Sequence, residues 1–131
     1  MPSIATVDDV ARLASGLPAV TEGARYGQRT WFVGGKGFAW ERPFSKADIT
    51  RFGDAPVPGG SILAVRVFDR AEKEAVLASN PHAFFTIPHF EGYSAVLIEL
   101  EIVTKQALRE AIVDAWLACA PPRLAHDYLK H

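Results

Sequence analysis

Cysteine is nearly absent: Cys119 stands alone among 131 residues, so no internal disulfide can form. It lies in a stretch that reads as a buried helix face, where a free thiol serves as a small core hydrophobe. Long apolar runs are missing as well. The longest uninterrupted aliphatic stretches, such as Ala95 to Ile98, hold four residues, whereas crossing a bilayer takes about 20. No membrane span is expected. "MPSIATVDDV" has neither a basic leader nor a greasy segment behind it, so nothing directs export and the cytoplasm is the expected compartment. Excess charge is lacking too. Fourteen Lys and Arg against 15 Asp and Glu give a formal net charge of -1, which argues against an overall electrostatic grip on nucleic acid or anionic lipid. No repeat period and no low-complexity tract suggests a solenoid or a disordered arm.

Catalytic signatures are also missing. Hydrolytic chemistry needs a nucleophile, a base within hydrogen-bond reach and a group that orients the base. Neither G-x-S-x-G nor H-E-x-x-H occurs, and no serine sits in a recognisable elbow. Gly34-Gly35-Lys36-Gly37 lacks the Walker spacing and turns between strands instead of opening a helix. The expectation is a protein that is not an enzyme, with no catalytic residues and no cofactor.

What is present builds one core. Hydrophobic residues make up 49% of a chain of single-domain length. Thr6 with Asp9 forms an N-cap pattern, and Val7, Val10, Ala11, Leu13 and Ala14 recur at helical spacing, predicting a helix over 7–15 stopped by Gly16 and Pro18. "RTWFVGGKGFAWE" reads as a hairpin about Gly34-Gly35. A two-residue loop sets Trp31 opposite Phe38 and Val33 opposite Lys36; a four-residue loop sets Val33 opposite Phe38 and Trp31 opposite Trp40. Either register puts Trp31, Val33, Phe38 and Trp40 on one face.

Residues 43–60, with Pro43, Gly53, Pro56, Pro58, Gly59 and Gly60, form a long connection with room for a helical turn around Lys46 to Arg51. "SILAVRV" predicts a strand with Leu63, Val65 and Val67 on one side. Asp69 and Glu72 open a short helix to Ser79, and Phe84 to Ile87 suggests a short strand. In "SAVLIELEI", Val96, Ile98, Leu100 and Ile102 point one way and Glu99 and Glu101 the other. Thr104 caps the longest helix, with Leu108, Ala111, Ile112, Ala115, Trp116 and Cys119 in one stripe. Pro121-Pro122 ends it, and a terminal helix presents Leu124 and Tyr128 together. Strands in runs with short turns predict an α+β fold: an antiparallel β-sheet with helices packed mainly on one face, a two-layer α/β sandwich over residues 1–131.

Several motifs in order resemble the MmcQ/YjbR family: Leu17, Pro18, Val20 and Glu22, then Thr30, Trp31, Val33, Gly34, Gly35, Lys36, Phe38, Ala39 and Trp40. His89, Phe90, Gly92 and Tyr93 before an apolar strand, and Ala115-Trp116 in the last long helix, continue the likeness. The resemblance implies a frataxin (CyaY)-like α/β sandwich and DNA binding through a "double wing". It supplies no catalytic residues. Iron handling of the frataxin kind needs a carboxylate-rich first helix, and here that helix carries only Asp8 and Asp9.

Two sets of residues are candidates for function. From Arg25 to Arg51 six cations face two carboxylates, a local balance of +4, leaving -5 for the remainder. Arg25, Arg29, Lys36, Arg42 and Lys46, on the glycine-bearing hairpin and its flanks, suit phosphate contact, with DNA as the partner. The alternative is a small-ligand or protein-interaction cleft built from Glu22, His89, Glu91 and Tyr93. The stretch "TIPHFEGYSA" reads as a shaped strand connection in which Pro88 and Gly92 set the path and His89 hydrogen-bonds a backbone carbonyl. His82, His89 and Glu91 lack the one-turn spacing that pre-aligns metal ligands, so no metal is assigned.

Overall fold

The computed structural model describes residues 4–57 and 60–130; Pro58 and Gly59 of the long connection lie outside them. Helix α1 (Val7–Ser15) starts where Thr6 accepts the Asp9 N–H and Asp9 accepts the Thr6 N–H in return. Six strands follow: β1 (Thr21–Arg25), β2 (Gln28–Val33), β3 (Lys36–Glu41), β4 (Ile62–Arg66), β5 (Phe84–Phe85) and β6 (Ala95–Glu99). They form one antiparallel sheet in the order β1-β2-β3-β4-β6-β5. The remaining helices are α2 (Lys46–Phe52), α3 (Arg70–Ser79), α4 (Lys105–Cys119) and α5 (Pro122–Leu129). The α+β architecture read from the sequence is the one observed.

Both hydroxyl and carboxylate caps act as the spacing suggests. Asp69 accepts the Glu72 N–H at the start of α3, while Glu72 reaches back to the Phe68 N–H. Thr104 accepts the Ala107 N–H at the start of α4.

Strand β1 has no counterpart in the sequence reading. Its five residues are all exposed, so it carries no apolar alternation to detect. It pairs with β2 through a two-residue turn at Tyr26 and Gly27, both with positive φ, 53° and 78°. The second hairpin turns at Gly34 (φ 58°) and Gly35 (φ 79°), with Val33 opposite Lys36 as the two-residue loop requires. Gly34 is also a close approach, since a Cβ there would sit 3.1 Å from Pro121.

Beyond that turn the register departs from either expected pairing. Gly37 pairs with Phe32 but Ala39 pairs with Trp31, so Phe38 is an extra residue, a β-bulge. Phe38 and Ala39 both enter the helix-side core, and the alternation after them is inverted. Trp40 therefore leaves the Trp31, Val33 and Phe38 face and packs on the opposite side of the sheet. Ile102 is a second correction: β6 ends at Glu99, whose carbonyl accepts the N–H groups of Ile102 and Val103, and the turn leaves Ile102 exposed.

The sheet buries two unequal faces. On one side Trp31, Val33, Phe38, Leu63, Val65, Val96 and Ile98 pack against Val10 and Ala14 of α1 and Leu108, Ile112, Ala115 and Trp116 of α4. On the other, Ile62, Ala64, Ala95, Leu97, Ile87 and Phe90 are covered by Phe44, Phe85 and, from α2, Phe52. Every residue of the β4 segment 62–65 and the β6 segment 95–98 is buried, the continuous run expected of strands covered on both sides.

Trp116 ties the layers together. It is fully buried, its indole N–H donates to the Pro18 carbonyl at 3.0 Å, and its ring lies 5.0 Å from that of Tyr128 on α5. Trp116→Ala should cost about 3–5 kcal/mol by removing that volume and leaving a cavity. A urea denaturation midpoint unchanged by the substitution would contradict this account of the core.

Candidate functional site: an aromatic cleft on the open sheet face

The cover over the second face stops at β4. Over β2 and β3 it leaves a cleft of about 800 Å³, floored by Thr30 and Trp40. The tip of the β1–β2 hairpin supplies Arg25, Tyr26 and Gln28, the segment after β3 supplies Arg42 and Ser45, and the 86–95 connection supplies His89, Phe90 and Tyr93. Trp40 is there because of the bulge at Phe38.

The 86–95 connection is held rigidly. Pro88–Phe90 makes a single 3₁₀ turn, Pro88 occupying its first position, and Gly92 takes φ 76°. Lys73 of α3, only 8% exposed, closes the loop from behind: its Nζ donates to the Phe90 carbonyl at 2.6 Å and the Tyr93 carbonyl at 2.7 Å. Burial pulls the ammonium below the ordinary lysine range, and the nearby Glu91 partly opposes this. Two charge-assisted bonds to backbone carbonyls replace the lost water. That role belongs to Lys73 and not to His89, which is exposed and lies with its ring 6.0 Å from Phe90. His89 makes no hydrogen bond to any described residue.

Aromatic contacts then fix the cleft wall. Tyr93 stands 6.4 Å from Trp40 and 5.6 Å from Phe90, ring centre to ring centre, and Phe90 lies 6.5 Å from Trp40. The Arg66 guanidinium covers the Tyr93 ring at 5.2 Å, and its Nη1 donates to the Tyr93 hydroxyl at 3.2 Å.

The five sequence-predicted cations do not share one surface. Period-two alternation puts Arg29 on the helix side with Trp31. There its Nε and Nη2 each donate to Glu22 at 3.0 Å, and Asp8 lies 3.6 Å away. Lys36, paired with Val33, is on the helix side as well, at the far end of β2. Arg25 and Arg42 line the cleft, and exposed Lys46 opens α2. Arg42 is engaged by the molecule itself: Nη1 is 2.9 Å from Asp48 and 2.6 Å from the Pro43 carbonyl, and the guanidinium lies 5.5 Å from the Phe90 ring centre. Burial alone would raise the Asp48 carboxyl, but hydrogen bonds from Ser45 and Arg42 outweigh it and hold the group below the ordinary range.

The alternative set is divided too. His89 and Tyr93 enter the cleft. Glu22 does not: it lies on the helix side, where it also accepts the Trp31 indole N–H at 3.1 Å. Glu91 borders a separate recess of about 500 Å³ beside Lys73. His82, His89 and Glu91 are exposed, and no cluster of three metal-ligating groups occurs among the described residues.

Residues 15–118 match the family model described as YjbR. The chain belongs to the YjbR family. Two relatives of this YjbR domain are "Uncharacterized protein Rv2570" of Mycobacterium tuberculosis and "Uncharacterized protein Mb2600" of Mycobacterium bovis. Each is 46% identical over 129 residues, covering 96% of this chain and 97% of the relative. Deinococcus radiodurans protein DR2400, carrying a DUF419 family-model domain, has the same fold in its crystal structure. The TM-score is 0.63 at 21% identity, over 87% of this chain and 78% of that one. Among described residues no helix of the YjbR domain is long and apolar enough to cross a membrane.

Sequence reasoning assigned Trp40 to the core, weighed Tyr26 only beside Glu22 and Arg25 without its turn, and passed over Arg66 and Lys73. Two of them left a signal. "YG" at 26–27 matches a positive-φ hairpin turn, with glycine second, and Lys73 sits three and four residues before Val76 and Leu77, on the apolar stripe of α3.

Lys73→Met keeps the aliphatic stem but leaves two carbonyls without their donor. Amide exchange in residues 88–94 should quicken by about tenfold or more, read by hydrogen-exchange NMR, and unchanged exchange there would remove the clamp. Glu22 gives a pH prediction. Its hydrogen bonds from Arg29, then the Arg29 charge and the Trp31 N–H, outweigh desolvation and hold its carboxyl below the ordinary value of 4.5. The folded state therefore binds this proton less readily than the unfolded chain, so the stabilisation is present above pH 4.5 and is lost as pH falls through the folded value. Glu22→Gln should flatten that part of the acid limb in urea midpoints measured against pH.

Proposed function

We propose that this chain is a binding domain, not an enzyme, and that its ligand is a small anion held in the Arg25–Tyr93 cleft. The observation that carries the reading is the convergence, in one concavity of about 800 Å³, of residues from both sequence-level candidates: Arg25 and Arg42 from one, His89 and Tyr93 from the other. Its size suits a metabolite-sized ligand. Trp40, Phe90 and Tyr93 line it; of its charged side chains Arg42 is paired with Asp48 and Glu41 accepts the Arg29 N–H, which leaves Arg25, whose planar fork fits carboxylate and phosphate oxygens. Within the cleft no serine or cysteine is paired with His89, so the chemistry supported is recognition.

Duplex DNA is the competing reading, and it requires Arg29 and Lys36 to work with Arg25 and Arg42 from the other side of the sheet. Each neutralised phosphate contributes about -0.9 to the slope of log K against log salt, so three or four contacts would give a slope near -3.

A thermal-shift series of phosphorylated and carboxylated metabolites should raise Tm, with the shift abolished by Arg25→Ala. In parallel, fluorescence anisotropy should show no salt-dependent duplex binding at roughly 50 mM salt. Tight duplex binding lost on Arg29→Ala and Lys36→Ala, with no anion shifting Tm, would reverse the assignment in favour of DNA.

A further inference from the structure

Resting on the cleft as the ligand site, we propose that it selects a planar heterocycle carrying an oxyanion, the chemistry of a mononucleotide. Three independent features of the cleft specify the two halves of such a ligand.

The oxyanion half follows from Arg25. Arg29 is engaged by Glu22 and Arg42 by Asp48 and the Pro43 carbonyl. The Arg25 guanidinium makes no hydrogen bond or ion pair with any described residue. One side of it is covered. Its guanidinium carbon lies 5.2 Å from the Phe32 ring centre, and Gly37 leaves the space beside it, since a Cβ there would stand 3.4 Å from Arg25 Nη1 and 3.1 Å from Thr30 Cγ2. A guanidinium that rests on a ring with its donors unused is available to an oxyanion.

The planar half follows from Trp40 and Tyr93. Their ring surfaces line the cleft, Tyr93 is 42% exposed, and Arg66 and Phe90 brace it from the other sides. An aliphatic anion would leave this ring surface wet, whereas a base can stack on an aromatic platform.

Tyr26 supplies the third feature. It is 96% exposed at the lip of the cleft and holds a φ of 53°, a left-handed conformation unfavourable for a residue with a Cβ. An aromatic ring in full solvent on a strained turn gains nothing from packing in the free protein. Over a bound ring it closes the stack from above. The side chains of Gln28 and His89, which make no hydrogen bonds to described residues, are left for the polar edge of a heterocycle.

The test uses the full chain with adenosine 5′-monophosphate, adenosine and ribose 5-phosphate as probes, followed by Trp fluorescence and isothermal titration. Trp31 and Trp116 are fully buried, so quenching by a stacked base reports Trp40. The nucleotide should quench and bind at least about tenfold tighter than either half alone. Arg25→Ala should weaken the nucleotide by about tenfold without changing adenosine, and Tyr26→Gly, which also relieves the turn, should weaken adenosine without changing ribose 5-phosphate. Equal binding of ribose 5-phosphate and the nucleotide would overturn the planar-ring inference and leave the anion cleft standing. No binding of any phosphorylated probe, together with no thermal shift from any anion, would remove both.

Discussion

One additional residue in β3 decides what the open face of the sheet can do. With regular alternation, Trp40 would follow Trp31, Val33 and Phe38 into the helix-side core, and β3 would offer only Gly37, Ala39 and Glu41 to the opposite face. The bulge at Phe38 sends both Phe38 and Ala39 inward and turns Trp40 outward. A core position becomes the floor of a cleft that Arg25 and Arg42 also line.

Charge is distributed by a similar competition. A cation on a folded surface either finds a carboxylate of its own molecule or stays available, and available cations are rarer than a composition count implies. Arg29 is taken by Glu22, and Arg42 with Arg51 converges on buried Asp48. Arg25 lies over a phenylalanine ring instead. The difference is positional: β1 is an edge strand, and at its end Arg25, paired with Gln28, faces the Phe32 ring.

The wall opposite that tip depends on a costly device. Burying an ammonium without a direct ion pair is unfavourable, and Lys73 bears this cost to hold the Phe90 and Tyr93 carbonyls in place. Water in the loop would satisfy those carbonyls without burying a charge. The gain from the lysine is a fixed spacing between Phe90 and Tyr93, hence between the two rings that meet Trp40, so rigidity in a recognition wall is what the arrangement secures.

Local chemistry made much of this legible in advance. Thr6, Asp69 and Thr104 cap the helices they were read to cap, because an N-cap bond spans only three residues. The apolar stripe of α4 and the inward faces of β4 and β6 up to Leu100 are likewise written in periodicity. The α+β class and the family motifs followed from the same residues. What lay beyond reach was β1, whose uniformly exposed residues carry no pattern, and the side of the sheet on which Trp40 sits, since a bulge adds a residue without a local marker. The pairing of Arg29 with Glu22, the division of the five cations, and the reach of Lys73 to a loop seventeen to twenty positions away depend on strand register and chain path. Sequence determined which residues are inside, capped or turning, because those forces act over a few bonds; tertiary structure alone decided which polar groups are paired and which remain free for a ligand, because that depends on what the rest of the chain brings within about 3 Å.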